Sequence, residues 1–135
     1  ASSTPTMRNT VKILVYGQSI TEQVYTDSLK RYLETTFPNA NLIIINRAIG
    51  AHASQLLKKP MHFDIKTFYP DLVIFHVYGS HYDLDSIQNF IRRETTAEVL
   101  FQNCHVNNGG FANNSWDNTY SYEHMSNIAK KYALE

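Results

Sequence analysis

The chain contains four short apolar runs, separated by segments whose apolar residues recur at helical spacing. The runs are Val11–Tyr16, Asn41–Asn46, Leu72–Val77 and Ala97–Gln102, and they predict four strands. In the second run, Leu42 to Ile45 are apolar at every position, which favours a parallel strand covered on both faces. A glycine follows each of the first three runs within a few residues.

Helical periodicity fills the gaps between these runs. The predicted helices are Ser19–Thr36, Ala53–Lys59, Asp83–Arg93 and Tyr120–Leu134, and the Asn- and Gly-rich residues 103–118 predict a long loop. Alternating strands and helices indicate the α/β class, as a three-layer α/β/α sandwich around a parallel sheet. We expect residues 1–10 to form a flexible lead-in and residues 11–135 to form a single domain.

Composition narrows the possible functions. Twelve basic residues balance twelve acidic ones, which argues against nucleic acid or an anionic membrane as the partner. Cys104 is the only cysteine, so neither an internal disulfide nor a multi-cysteine zinc site is expected. No apolar run approaches the ~20 residues that span a bilayer. We therefore expect a soluble globular domain.

The residues that follow the strands are the strongest functional candidates, because ligands of parallel α/β sheets bind outside the carboxyl ends of the strands. Ser19 follows the first strand at the start of a helix. Serine there is ordinarily an N-cap, but it can also be a nucleophile beside N–H groups that stabilise an oxyanion. Gly17, two residues earlier, would then let a substrate approach closely.

Gly50 and His81 follow the second and third strands. Gly50 is either a turn glycine or the source of an unhindered N–H donor. His81 can donate a hydrogen bond, bind a metal or cap a helix. Because no companion ligand stands at metal-binding spacing, we expect no metal.

Three blocks of this sequence resemble those of the SGNH (GDSL-like) hydrolase family. They are Gly17-Gln-Ser-Ile-Thr21, Asn46-Arg-Ala-Ile-Gly50 and the segment from Pro70 to His81, which occur in the family's order. The resemblance implies the flavodoxin-like SGNH fold and a serine esterase activity that needs no cofactor. It also implies that Ser19 is the nucleophile and that the oxyanion is held by the N–H groups of Ser19 and Gly50 and by His81.

Two departures from the family pattern bear on the substrate and the oxyanion site. Gln18 replaces the usual aspartate, a change associated with a carbohydrate-acting branch, so the resemblance implies acetyl or other acyl esters on carbohydrate. His81 stands where the family has asparagine, and a neutral imidazole N–H could serve there. Candidate substrate contacts are Gln18, His52 and Trp116, although Trp116 could equally anchor the Asn-rich loop to the core.

The third departure concerns the family's late Asp-x-x-His motif, which supplies its catalytic acid and base and which does not occur in this chain. The resemblance thus covers the N-terminal portion of the domain, without its last strand and closing helix. We expect a second chain or segment to carry the missing block, or a homo-oligomer to cover the exposed apolar surface. An internal histidine as the base is a further alternative.

Two other functions stay open. A non-catalytic carbohydrate-binding or assembly domain would keep the fold without the triad. A flavodoxin-like module for nucleotide or flavin would share the sheet, but its Gly-rich phosphate loop is missing after the first strand. For the esterase we expect a secreted or periplasmic location rather than a cytoplasmic one.

Overall fold

The computed structural model describes residues 9–23, 26–77, 79–102 and 126–132. Its strands are β1 (Thr10–Gly17), β2 (Asn41–Asn46), β3 (Leu72–His76) and β4 (Glu98–Phe101). Its helices are α1 (Ser19–Gln23), α2 (Thr26–Thr36), α3 (Ser54–Leu57), α4 (Met61–Phe68), α5 (His81–Glu94) and α6 (residues 126–132). Among these residues, no helix is long and apolar enough to cross a membrane.

The four strands form one parallel sheet in the order β2-β1-β3-β4. The chain moves from β1 to β2 in one direction, then returns past β1 to reach β3 and β4. Right-handed crossovers in opposite directions place their helices on opposite faces of the sheet. The reversal lies between β1 and β3, and a crevice for ligands is expected outside the carboxyl ends of those two strands.

One face of the sheet, here called the α5 face, carries the larger core. Leu14 and Tyr16 of β1 and Val73 and Phe75 of β3 pack there against residues of α3, α4, α5 and α6. The helical members of this cluster are Leu57, Met61, Ile65, Leu84, Ile87, Phe90, Ile91 and Ile128. Burial of this continuous apolar surface is the main stabilising contribution to the fold.

The opposite face, here called the α2 face, carries a smaller cluster. Ile13, Val15 and Ile74 are buried there, and Leu29 and Leu33 of α2 pack against them. Because side chains alternate along a strand, the two clusters use alternate residues of β1. The strand covered on both faces is therefore β1, in the middle of the sheet. The prediction that Asn41–Asn46 is such a strand is wrong, because β2 lies at the edge of the sheet and none of its residues is buried.

The predicted α/β architecture and parallel sheet are confirmed, with differences in the helices. Helix α4 is not among the predicted helices, because proline was expected to end the preceding helix, whereas Pro60 occupies the N-cap position of α4. Helix α5 begins at His81 rather than at Asp83, since Ser80 is its N-cap and accepts the Asp83 N–H. The predicted loop at residues 103–118 lies outside the described residues.

Candidate active site

Ser19 is the first residue of α1, and Gln18 alone separates it from the end of β1. The carbonyl of Gln18 accepts the N–H of Glu22 at 2.9 Å, so Gln18 occupies the N-cap position. The expectation that Ser19 itself caps the helix is therefore wrong. Ser19 is partly exposed and lies at the carboxyl edge of the sheet.

Gly17 is required for the close pairing of β1 with β3. A β-carbon at this position would collide with the His76 carbonyl on β3 and would lie 2.8 Å from the Thr21 hydroxyl. The expectation that Gly17 lets a substrate approach is thus wrong. Its missing side chain lets the ends of β1 and β3 come together beneath Ser19.

The loop after β2 lies along the end of β1, and this position places Gly50 close to Ser19. The N–H groups of Arg47 and Ile49 donate to the carbonyls of Val15 (2.9 Å) and Gly17 (3.0 Å), which extends the pairing beyond β2. A β-carbon built on Gly50 would lie 3.9 Å from Ser19 Cβ. The structure therefore brings together these two predicted site residues.

Glu22 also reaches this point, and sequence reasoning missed it. Its Oε2 lies 2.6 Å from the position of a β-carbon on Gly50, on the side that faces Ser19. A side chain on Gly50 would have to displace this carboxylate. Glu22 is exposed, so its carboxylate has room to move into solvent.

Asn46, at the end of β2, connects three segments of the site through its side-chain amide. Its Nδ2 donates to the Thr21 carbonyl at 2.8 Å and to the Thr26 hydroxyl at 2.9 Å. Its Oδ1 accepts the Ala48 N–H at 2.9 Å. One amide thereby fixes α1, α2 and the Gly50 loop relative to each other. In the sequence, Asn46 could have been recognised as a site residue because it is a polar residue at the end of an apolar strand.

A tight turn follows Gly50 and folds His52 back over it. The His52 N–H donates to the Ile49 carbonyl at 3.2 Å, and Ala51 has a left-handed backbone with φ 58°. The His52 Nδ1 lies 3.0 Å from the Gly50 carbonyl oxygen. Left-handed φ is uncommon for a residue with a side chain. The turn therefore holds the predicted substrate contact His52 against the predicted oxyanion glycine.

The loop after β3 is held by the start of α3. Gly79 has φ +122°, and a β-carbon on it would lie 2.6 Å from Gln55 Oε1 and 2.8 Å from Ser54 Oγ. Ser54 Oγ donates to the Ser80 carbonyl at 2.7 Å, and Gln55 Oε1 accepts the Ser80 N–H at 3.4 Å. These contacts fix the point at which α5 begins, and His81 is its first, partly exposed residue.

His76, at the end of β3, lies in the interior behind Ser19. Its Nδ1 is 3.4 Å from the Thr21 hydroxyl, and burial lowers the pKa of its imidazole. The ring is therefore neutral at pH 7. This agrees with its prediction as a buried strand residue with a satisfied ring.

A second group of ionisable residues lies beneath the Gly50 loop on the α5 face. The Tyr16 hydroxyl donates to the Leu57 carbonyl at 3.0 Å, and burial followed by the nearby Asp64 raises the pKa of Tyr16. Burial also raises the pKa of Asp64, opposed by the positive charge of Arg47 and by the nearby Tyr16 hydroxyl. This group connects α4 to the loop through charge.

For the other two predicted substrate contacts, Gln18 and Trp116, the structure gives less support. Gln18 is only 4% exposed, which leaves little of it for a substrate to touch. Trp116 lies outside the described residues, as do Cys104, His105 and His124. Within the described ranges, no cluster of three or more His, Cys, Asp or Glu residues could hold a metal ion.

Comparisons with known proteins support the fold. No protein-family model matches the sequence, and no curated protein matches it. Among solved structures, the acetylxylan esterase Axe2 from Geobacillus stearothermophilus superposes with a TM-score of 0.78 at 15% identity, over 94% of this chain and 75% of that chain. A GDSL-like lipase from Parabacteroides merdae gives a TM-score of 0.77 at 12% identity, over 94% and 76%.

A third structure, TesA, gives a TM-score of 0.71 at 18% identity, over 91% of this chain and 75% of that chain. The likeness thus extends over most of this chain, while about a quarter of each neighbour's chain has no counterpart here. At this level of identity the likeness concerns the fold. This chain has the SGNH (GDSL-like) hydrolase fold.

Proposed function

We propose that this protein is a serine ester hydrolase that removes acyl groups, in particular acetyl groups, from carbohydrate. The proximity of Gly50 to Ser19 is the observation that carries the proposal, since a β-carbon on Gly50 would lie 3.9 Å from Ser19 Cβ. A serine hydroxyl beside unhindered backbone N–H groups is the arrangement that acyl transfer requires. The solved neighbours whose names describe a lipase and an acetylxylan esterase add support.

In the proposed reaction, Ser19 Oγ attacks the ester carbonyl and forms an acyl-enzyme. The negative charge on the carbonyl oxygen is stabilised by the N–H groups of Ser19 and Gly50 and by the His81 side chain. One such donor is typically worth about 3 kcal/mol of transition-state stabilisation. The alcohol leaves, and water then releases the acyl group as an acid.

The Glu22 carboxylate would oppose this negative charge in its present position. Because Glu22 is exposed, we expect it to swing away when a substrate binds. Replacing Glu22 by glutamine should therefore raise the reactivity of Ser19 several-fold. A decrease would show that the carboxylate assists the reaction.

Full activity requires a proton acceptor for Ser19. We propose that a second chain or segment that carries an Asp-x-x-His block supplies it, as the family resemblance implies. Polymeric carbohydrate is encountered mostly outside the cell, so we also propose a secreted or periplasmic location.

The test uses a fluorophosphonate probe, intact-mass spectrometry and peptide mapping, in buffer that contains free imidazole as a soluble proton acceptor. We expect one adduct on Ser19, none in Ser19→Ala, and an unchanged adduct in Ser86→Ala, whose serine lies on α5 and bonds to the Tyr82 carbonyl. Release of acetate from acetylated oligosaccharides would then be measured. A folded chain that gives no Ser19 adduct would overturn the proposal.

The second candidate is a non-catalytic carbohydrate-binding or assembly domain. It is favoured by the absence of an Asp-x-x-His motif from the sequence. Calorimetry would separate the two functions, since this candidate predicts saccharide binding without a reactive Ser19.

A further inference from the structure

We propose that Glu22 makes the candidate site selective for the charge of its substrate, so that esters of neutral sugars are accepted and esters of uronic acids are disfavoured. This inference rests on the proposed function and deepens it, because it narrows the substrate class. Three observations carry it: the place of the Glu22 carboxylate against Gly50, the position of Glu22 on α1, and the lack of an ion pair to Glu22 among the described residues.

The place of the carboxylate against Gly50 brings a negative charge to the nucleophile. A β-carbon built on Gly50 would lie 2.6 Å from Glu22 Oε2 and 3.9 Å from Ser19 Cβ. The separation of Oε2 from Ser19 Cβ therefore cannot exceed the sum of these two distances. A charge this close to the nucleophile acts on any charged group of a substrate bound there.

The position of Glu22 on α1 keeps the charge at this place. Ser19 is the first residue of α1 and Glu22 is the acidic residue of its first turn. Residues three apart lie on the same side of a helix. The Glu22 N–H donates to the Gln18 carbonyl at 2.9 Å, which fixes the backbone of Glu22. A carboxylate that swings away from Gly50 therefore stays beside the site.

The charge of Glu22 is not neutralised by an ion pair in the part of the chain that the structure describes. Arg47, on the same loop as Gly50, carries a positive charge that acts on Asp64 of α4. Glu22 is also exposed, so its carboxylate meets the solvent through which a substrate arrives. Its charge can therefore attract or repel a substrate, and salt should weaken that effect.

Two effects give the selectivity. A carboxylate only accepts hydrogen bonds, and a sugar hydroxyl that donates to it forms a charge-assisted bond. A uronic acid instead brings a second carboxylate, which Glu22 repels. For exposed unit charges about 6–8 Å apart, the interaction in water changes an affinity or a rate by about two- to threefold, and by more where the substrate excludes water.

The experiment compares fluorophosphonate probes that differ only at the end of a short tail, which carries a trimethylammonium, a hydroxyl or a sulfonate group. Labelling rates of Ser19 are measured at low ionic strength in buffer that contains free imidazole. Glu22→Gln removes the charge and keeps the size of the side chain. We expect the ratio of the cationic to the anionic rate to fall by about fivefold in this variant. The ratio cancels any change in the reactivity of Ser19 itself.

Two further variants separate the charge of Glu22 from other effects. Glu22→Asp keeps the charge and should keep the ratio within about twofold of the unaltered chain. Glu34→Gln is the matched control, since it removes an exposed carboxylate from the end of α2 that lies at the amino ends of the strands. It should also leave the ratio unchanged. In the unaltered chain, about 0.5 M salt should lower the ratio towards that of Glu22→Gln.

The outcomes for the charge selectivity and for the esterase function are distinguishable. If Glu22→Gln changes the ratio by less than about twofold, the charge selectivity is wrong, although the serine esterase function survives as long as the hydroxyl probe labels Ser19. A fall of equal size in Glu34→Gln would also overturn it, because net charge would then set the ratio. Absence of Ser19 labelling by all the probes would overturn both.

Discussion

In the part of the chain that the structure describes, the two faces of the sheet differ in how completely helices cover them. On the α5 face, α3, α4, α5 and α6 contribute to one core that spans β1, β3 and β4. On the α2 face, the described helices pack on β1 and β2, and Leu100 of β4 is 46% exposed. An open groove of about 440 Å³ on this face is lined mainly by apolar residues, among them Val11, Leu33, Phe37 and Leu72.

The residues that contribute most to stability and the residues of the candidate site therefore lie in different parts of the chain. The α5 face holds most of the buried apolar surface and so most of the folding free energy. The candidate site lies at the carboxyl edge, where loops from both sides of the sheet meet. The candidate site is thus supported by a sheet whose stability comes mainly from the α5 face. Substitutions on the two faces should therefore lower the free energy of unfolding by different amounts.

The largest effect is expected from a truncation in the α5-face core. Ile87 is fully buried on α5, so Ile87→Ala should lower the free energy of unfolding by about 3 kcal/mol through lost burial and a cavity. Leu100→Ala is the matched change on the open part of the α2 face and should cost less than about 1 kcal/mol. Urea denaturation measures both. Equal losses would show that the faces contribute equally.

A smaller effect is expected from removal of a buried hydroxyl on the α5 face. Tyr16→Phe deletes the hydrogen bond to the Leu57 carbonyl and leaves that acceptor buried, which should cost about 1–2 kcal/mol. Tyr32→Phe, at a residue that is 66% exposed, is the control and should be nearly neutral. A neutral Tyr16→Phe would mean that water or another donor replaces the hydroxyl.

His76 offers a pH-dependent test on the α2 face. Burial lowers its pKa in the folded state, so near its ordinary pKa the unfolded chain binds more protons than the folded one. Its contribution to stability is fully present above about pH 6.5 and is lost as the pH falls from there towards the lowered pKa. Denaturation at about pH 7.5 and about pH 5.5 should show a larger loss in the unaltered chain than in His76→Asn. His62→Asn should keep the full loss, and a loss of equal size in His76→Asn would contradict the assignment.

The smallest effect is expected from an ion pair on the surface of the α5 face. Lys58 Nζ lies 2.9 Å from Asp83 Oδ1 and links α3 to α5. Both side chains are partly exposed, so Lys58→Ala should cost less than about 1 kcal/mol, and salt should reduce that cost. The exposed neighbour Lys59 provides the control variant Lys59→Ala. A large, salt-independent loss for Lys58→Ala would indicate a packing role for its side chain.

The sheet could be predicted from the sequence because its strands are strongly apolar and separated by helical spacing. Helix α4 was also predictable in principle, since Met61 and Ile65 share one face and proline is accepted at a helix start. The single predicted helix Ser19–Thr36 is described as α1 and α2, on either side of residues 24 and 25.

The contacts that build the site could not be predicted in the same way. Ser19, Gly50 and His81 were selected because they follow successive strands, which is local information. The bonds from Asn46 to α1 and α2, and from Ser54 to the His81 loop, join segments that only the folded sheet brings together. The same holds for Gly17, whose role depends on the nearby carbonyl of His76.

The central position of β1 has a consequence for synthesis of the protein. This strand pairs with β3 in a register that joins Ile13 to Leu72, so one of its edges stays open until the ribosome has made β3. At about 5–20 residues per second, the delay is roughly 3 to 12 seconds. During that time the apolar strand is exposed on the nascent chain, and a chaperone that binds extended apolar segments would protect it. The strand that leads to Ser19 is therefore made well before the strand that encloses its second edge.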